Sequence, residues 1–288
     1  MKQRRLSILG ILVILTLALV ALPAIAQMSD EEKNRNIDLI LEKSGIHAQL
    51  AGLPAMVEQQ ALAAAGAHNQ GLAEMLKESF SVDDLLAEVK LVFLHEFNES
   101  HSQVIVKFLE TDLAGRMAQY EVESLDPAFG EKRNSIDINK YSKKRRQIIS
   151  KFITEIKAQN SYYVLQSSIM ESMLRALNNL LPEEAQISDA QIAKIKQQLK
   201  EQLLSDQVKE AMLADYLLIY DRATDAEMEE YTKFNTSKAG RWMNQCIETG
   251  IVNGMQKCAQ KMIIAVIAFA ASNQEDEAEA SDENINAF

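Results

Sequence analysis

The chain has 288 residues, 47% hydrophobic and 25% charged, with only 10 Gly, 4 Pro and 2 Cys. So few turn-formers exclude a strand-rich fold and a glycine-dependent dinucleotide fold, while two thiols exclude a disulfide scaffold or a four-thiolate zinc site. The formal net charge of −11 repels nucleic acid and anionic lipid at long range.

Lys2, Arg4 and Arg5 precede an apolar run from Leu6 to Leu22, and Pro23-Ala24-Ile25-Ala26 supplies an A-x-A cleavage signal. This is the pattern of a secretory signal peptide over residues 1–26, cut after Ala26. Retained as an anchor, the run would fall short of the ~20 residues of a spanning helix. Cleavage takes three of the 30 basic residues and leaves 27 against 41 acidic ones, a mature charge of −14. The expected location is the periplasm or the exterior. Neither a stable membrane span nor a nucleic-acid partner is expected of the mature chain.

Helix starts follow in chain order. Ser29-x-x-Glu32, Ser100-x-x-Gln103, Ser188-x-x-Gln191 and Thr224-x-x-Glu227 fit the capping box, in which a hydroxyl and a carboxyl or amide satisfy each other's exposed backbone donors. Ile148, Ile149, Phe152, Ile153 and Ile156 form one apolar stripe, and Leu213, Tyr216, Leu217 and Tyr220 another, at the three-and-four spacing of a helix. No segment alternates with period two. The spacing predicts an all-α protein.

The chain also matches itself. A shift of 125 lays Thr111-Asp112-Leu113-Ala114-Gly115-Arg116 on Thr236-Ser237-Lys238-Ala239-Gly240-Arg241, and Val92, Phe93 and Leu94 on Leu217, Leu218 and Ile219. Earlier, a shift of 112 pairs Ile37, Ile40 and Leu41 with Ile149, Phe152 and Ile153, an insertion near Leu181-Pro182 absorbing the difference. Two related multi-helix units are expected, 27–125 and 141–272, forming an array or bundle joined by a linker over 126–140. In the repeated signature Asp112 and Ser237 are N-cap residue types. Gly115 and Gly240 fall in the first turn, where a missing side chain admits a neighbouring helix. Arg116 and Arg241 could reach a carboxylate or a ligand.

At these residues the sequence resembles the domain of unknown function family numbered 2059. The second copy carries the pattern in Phe234, Ser237, Gly240, Arg241 and Trp242, while the first has Leu109 for the aromatic and Asp112 for the serine. The resemblance spans about ten residues per copy. It implies an exported bacterial helical protein and lends no activity.

Between the units lies a basic island on an acidic chain, Lys143-Lys144-Arg145-Arg146, with Lys132, Arg133, Lys140 and Lys151 near it. It could dock an anionic partner, or balance acidic neighbours within the molecule. His95-Glu96 lacks the second histidine of H-E-x-x-H. Glu99 falls one turn later and would share its face if the helix continued. G-x-S-x-G, C-x-x-C and the phosphate-binding Gly-x4-Gly-Lys loop are absent, so the sequence points to no enzyme, cofactor or metal. Cys246 and Cys258 either form a bridge, if Gly250 and Gly254 open a hairpin, or stay free on one helix, where twelve residues rise ~18 Å. The run Met262 to Ala270 is too short to span a bilayer and could close the core. Residues 273–288 carry six acids and no base, the composition of a disordered acidic tail.

The function expected from these features is that of an exported, non-enzymatic helical protein of the cell envelope, binding another envelope protein or a small ligand. Two alternatives are a carrier of a small apolar ligand between the units and a hydrolase assembled in space around His95, Glu99 and His101.

Overall fold

A computed structural model of the chain describes residues 28–55, 58, 70–178 and 181–285. The expected signal peptide lies outside them. Among the described residues every regular element is helical: α1 (Asp30–Lys43), α2 (Ile46–Ala51), α3 (Gln70–Glu78), α4 (Val82–His95), α5 (Glu99–Leu109), α6 (Asp112–Glu123), α7 (Pro127–Asn134), α8 (Lys143–Glu155), α9 (Ala158–Asn178), α10 (Asp189–Leu203), α11 (Asp206–Ile219), α12 (Asp225–Asn235) and α13 (Lys238–Ile285), with 3-10 turns at Ile138–Lys140 and Glu183–Ala185. No helix among them is long and apolar enough to cross a membrane.

The predicted capping boxes form at Ser29, Ser188 and Thr224. The one predicted at Ser100 does not. Asn98 caps α5 instead, its side-chain oxygen accepting from the His101 N–H at 2.9 Å, so the helix starts two residues earlier. The signature at the helix corners is also displaced. Thr111 rather than Asp112 caps α6, whereas Ser237 caps α13 and accepts from Gly240 N–H at 3.0 Å. The two glycines therefore differ by one step in register. A Cβ on Gly240 would meet the Phe234 carbonyl oxygen at 2.2 Å, while one on Gly115 would meet nothing within 4 Å.

The two cysteines are free and buried on one unbroken α13, so no bridge joins them. Gly250 and Gly254 open no hairpin. With Cys246 and Cys258 they make a small residue every fourth position along one face of α13, and α4 lies against it. A Cβ on Gly250 would fall 2.3 Å from Val89 Cα, and one on Gly254 3.0 Å from Leu85 Cα. Absent side chains let the two backbones approach closely.

Among the described residues three apolar clusters are packed, and each draws on residues before and after the 126–140 segment. Ile37, Ile40, Phe93 and Ile105 pack with Phe234, Met243 and Cys246. Leu113, Met117 and Tyr120 pack with Ile149, Phe152, Leu217 and Met228. Leu50, Phe80 and Leu85 pack with Ile169, Met255 and Met262. The helix contacts explain this mixing. α1 touches α4 and α5 as α8 touches α11 and α12, while α13 packs on α4 and α5 as well as on α9 and α12, and α6 packs on α11 and α12. The expected linker 126–140 is not a plain connector. It carries α7, capped by Asp126 and packed on α11, with Arg133 bonded to Asp215 at 2.7 Å. The acidic segment expected as a tail continues α13 as helical backbone to Ile285.

Candidate functional site

The basic island lands on the first turn of α8, and the helical period divides it. Ser142 caps the helix by accepting from Arg145 N–H at 3.1 Å. Arg145 lies on the same face as Ile149, Phe152 and Ile153 and is buried with them, 8% exposed. Its guanidinium donates to the Tyr220 carbonyl oxygen at 2.6 Å and to Asp225 at 3.3 Å. Lys144 pairs with the other oxygen of Asp225 at 3.3 Å. Two of the four residues of the basic island, Lys144 and Arg145, thus serve the fold.

The other two face away from the core. Lys143 and Arg146 line an open groove of about 710 Å³ along α8, continued by Ser150 and Lys151 and walled by Ile138 and Leu213. One guanidinium nitrogen of Arg146 donates to Asn139 at 3.4 Å, while its Nε is buried with no acceptor among the described residues. Lys151 is held loosely by Glu155 at 3.8 Å. No acid stands in the first turn of α8, so its cations sit at the positive end of the helix dipole, an arrangement that disfavours the helix by a few tenths to ~1 kcal/mol per charge. An anion in the groove would meet Lys143, Lys151 and the positive end of the helix dipole, with Glu155 the one acid among the described residues that line it. Ser150, Ile138 and Leu213 carry no sequence signal for this role, since each reads locally as ordinary helix or turn.

The remaining candidates are dispersed. Arg116 is bound to Glu227 at 2.5 Å, tying α6 to the start of α12, so it is a strut between the halves. Arg241 is exposed and forms no ion pair among the described residues. Phe234 stacks on Phe108 with ring centroids 3.6 Å apart. Trp242 donates its indole N–H to the Glu96 carbonyl oxygen at 3.1 Å and meets Phe93 edge-on. The hydrolase constellation does not assemble. The helix breaks between His95 and Glu99, His95 bonds Glu96 at 2.8 Å, Glu99 bonds Gln103 at 3.2 Å, and the His101 ring lies against Trp242. Among the described residues no three His, Cys, Asp or Glu side chains converge as a metal site.

A polar centre the sequence did not disclose sits between the halves. Glu121 of α6 accepts the hydroxyls of Tyr220 at 2.5 Å and Tyr231 at 2.8 Å on one oxygen, and the Gln49 amide at 3.2 Å on the other. Burial outweighs these three donors and pushes the carboxyl above its ordinary value. Burial and the Glu121 charge push both tyrosines well up. All three donors come from side chains of this chain, so the centre is a structural joint. No family model matches the chain, and neither a curated protein nor a solved structure does.

Proposed function

We propose that this is an exported, non-enzymatic binding protein of the bacterial envelope whose α8 groove receives an anionic ligand or the anionic surface of a partner. The observation that carries the reading is the groove itself: Lys143, Arg146 and Lys151 against one acid, Glu155, among the described residues that line an open groove large enough for a small ligand. Export is supported by the charged start, apolar run and A-x-A of residues 1–26, and by the resemblance of Phe234 to Trp242 to an exported helical family. A carrier site between the halves has less support, because Phe93, Phe234, Met117 and Tyr220 fill that space.

Native mass spectrometry of the protein recovered from its own exported fraction tests the proposal. The expected mature chain begins at Gln27 and carries extra mass that leaves on denaturation. In the double variant Lys143→Glu, Arg146→Glu that mass is lost while the unfolding temperature holds or rises, because the reversal suits the helix dipole. An equal adduct on the variant, or a bare chain in both, overturns the groove as the site. A mass that includes residues 1–26 overturns cleavage.

A further inference from the structure

A second cleft, of about 470 Å³, opens between α4 and α13 with the opposite charge. Its apolar wall is Trp242 and Leu91, the latter 53% exposed although it is a large aliphatic residue. Its acids are Glu88 and Glu96, and no lysine or arginine is among the described residues that line it. Glu88 is paired with Lys257. The Glu96 carboxylate meets the His95 imidazole at 2.8 Å and no lysine or arginine among the described residues. The Trp242 ring is already held, by its N–H bond to the Glu96 carbonyl oxygen at 3.1 Å and by the edge contact with Phe93 at 5.3 Å. The indole therefore loses little freedom when a ligand settles on it. At the floor, burial and the Glu96 charge push the Cys246 thiol up to about 12, so it presents a neutral, unreactive surface.

A fixed indole in one cleft with Glu88 and Glu96, and an exposed aliphatic residue at the mouth, selects a ligand that is positive at one end and apolar at the other. We infer that this cleft binds an organic cation with an apolar body, a quaternary ammonium or protonated amine, with the cationic head between Trp242 and Glu96 and the apolar part on Leu91. The site is independent of the α8 groove, which has the opposite sign.

Trp242 is the only tryptophan of the chain, so its emission reports this cleft alone. The experiment titrates the mature protein with benzyltrimethylammonium at pH 8, with benzyl alcohol as the uncharged comparison. A saturable change in Trp242 emission is expected with the cation and not with the alcohol over the same range. Glu96→Gln should weaken it by about tenfold, the loss of one well-placed charge, with the unfolding temperature unchanged. Leu91→Lys, at an exposed position, should abolish the response by placing a cation in the mouth, and it serves if Glu96→Gln perturbs folding. No saturable change, an equal response to benzyl alcohol, or wild-type affinity in both variants overturns the inference.

Discussion

At the scale of single residues, Glu121 shows how burial and hydrogen bonding oppose each other in one side chain. Three donors reach it, yet desolvation wins and raises its pKa. A carboxyl whose folded pKa exceeds its unfolded value favours the native state below the unfolded value, and that contribution is lost as pH rises through the folded one. Glu121→Gln removes the titration while keeping an acceptor for the tyrosines. The gap in unfolding temperature between variant and wild type should therefore move in favour of Glu121→Gln as pH is raised from about 4.5 to neutrality. Paired thermal melts check this, and a gap that is flat or moves the other way would show that the carboxyl is not stressed by burial. Arg145 is the companion lesson. It belongs to a run of four cations, but its two hydrogen bonds to α11 and α12 elements make it part of the core.

At the scale of elements, the glycines separate close approach from mere flexibility. Gly250 and Gly240 face backbone that cannot yield, Val89 Cα and the Phe234 carbonyl oxygen, at 2.3 and 2.2 Å from an added Cβ. Alanine there should destabilise the protein by ~1–3 kcal/mol as helices are forced apart. Gly115 lies inside α6 with open space around it, so Gly115→Ala should stabilise by ~0.5–1 kcal/mol through helix propensity alone. Urea titrations of the three variants decide the matter, and opposite signs at Gly115 and Gly250 are the expected result. The chain takes different paths after its two glycine-bearing corners. The first breaks at Asp126-Pro127 and folds α7 back onto α11, while the second continues α13 without interruption.

At the scale of the whole molecule, the crossing of α6 and α13 makes the halves interdependent. Neither has a core of its own: Phe234 and Met243 complete the cluster around Ile37 and Phe93, and Met117 and Tyr120 complete the one around Phe152 and Leu217. Unfolding should be a single cooperative transition. Far-ultraviolet circular dichroism, which follows all helices, and Trp242 emission, which follows the α4–α13 joint, should trace the same urea curve. Two separated curves would mean that the halves unfold as independent bodies. The clefts of opposite sign lie on different helices, α8 and the α4–α13 pair, so ligands at the two would not compete for the same groups.

Helical class, three of the four capping boxes and the stripes of Ile149, Phe152, Ile153 and Leu217 could be read in advance, because caps and helical periodicity depend on residues within four positions of one another. The basic island was legible as a cluster, though its division was not. Which cations reach a groove depends on the exact turn at which α8 begins and on Tyr220 and Asp225, 75 and 80 positions away. The Glu121 joint is less visible still, since its tyrosines lie 99 and 110 positions along the chain and no local pattern announces them. The sequence by itself determined the helical class and which faces are apolar, though it read the helical stretches Pro127–Asn134 and 273–285 as linker and tail. Only the tertiary structure decided which faces meet, because the choice between packing within a half and crossing to the other rests on fit between distant surfaces, at Gly250 against Val89 above all.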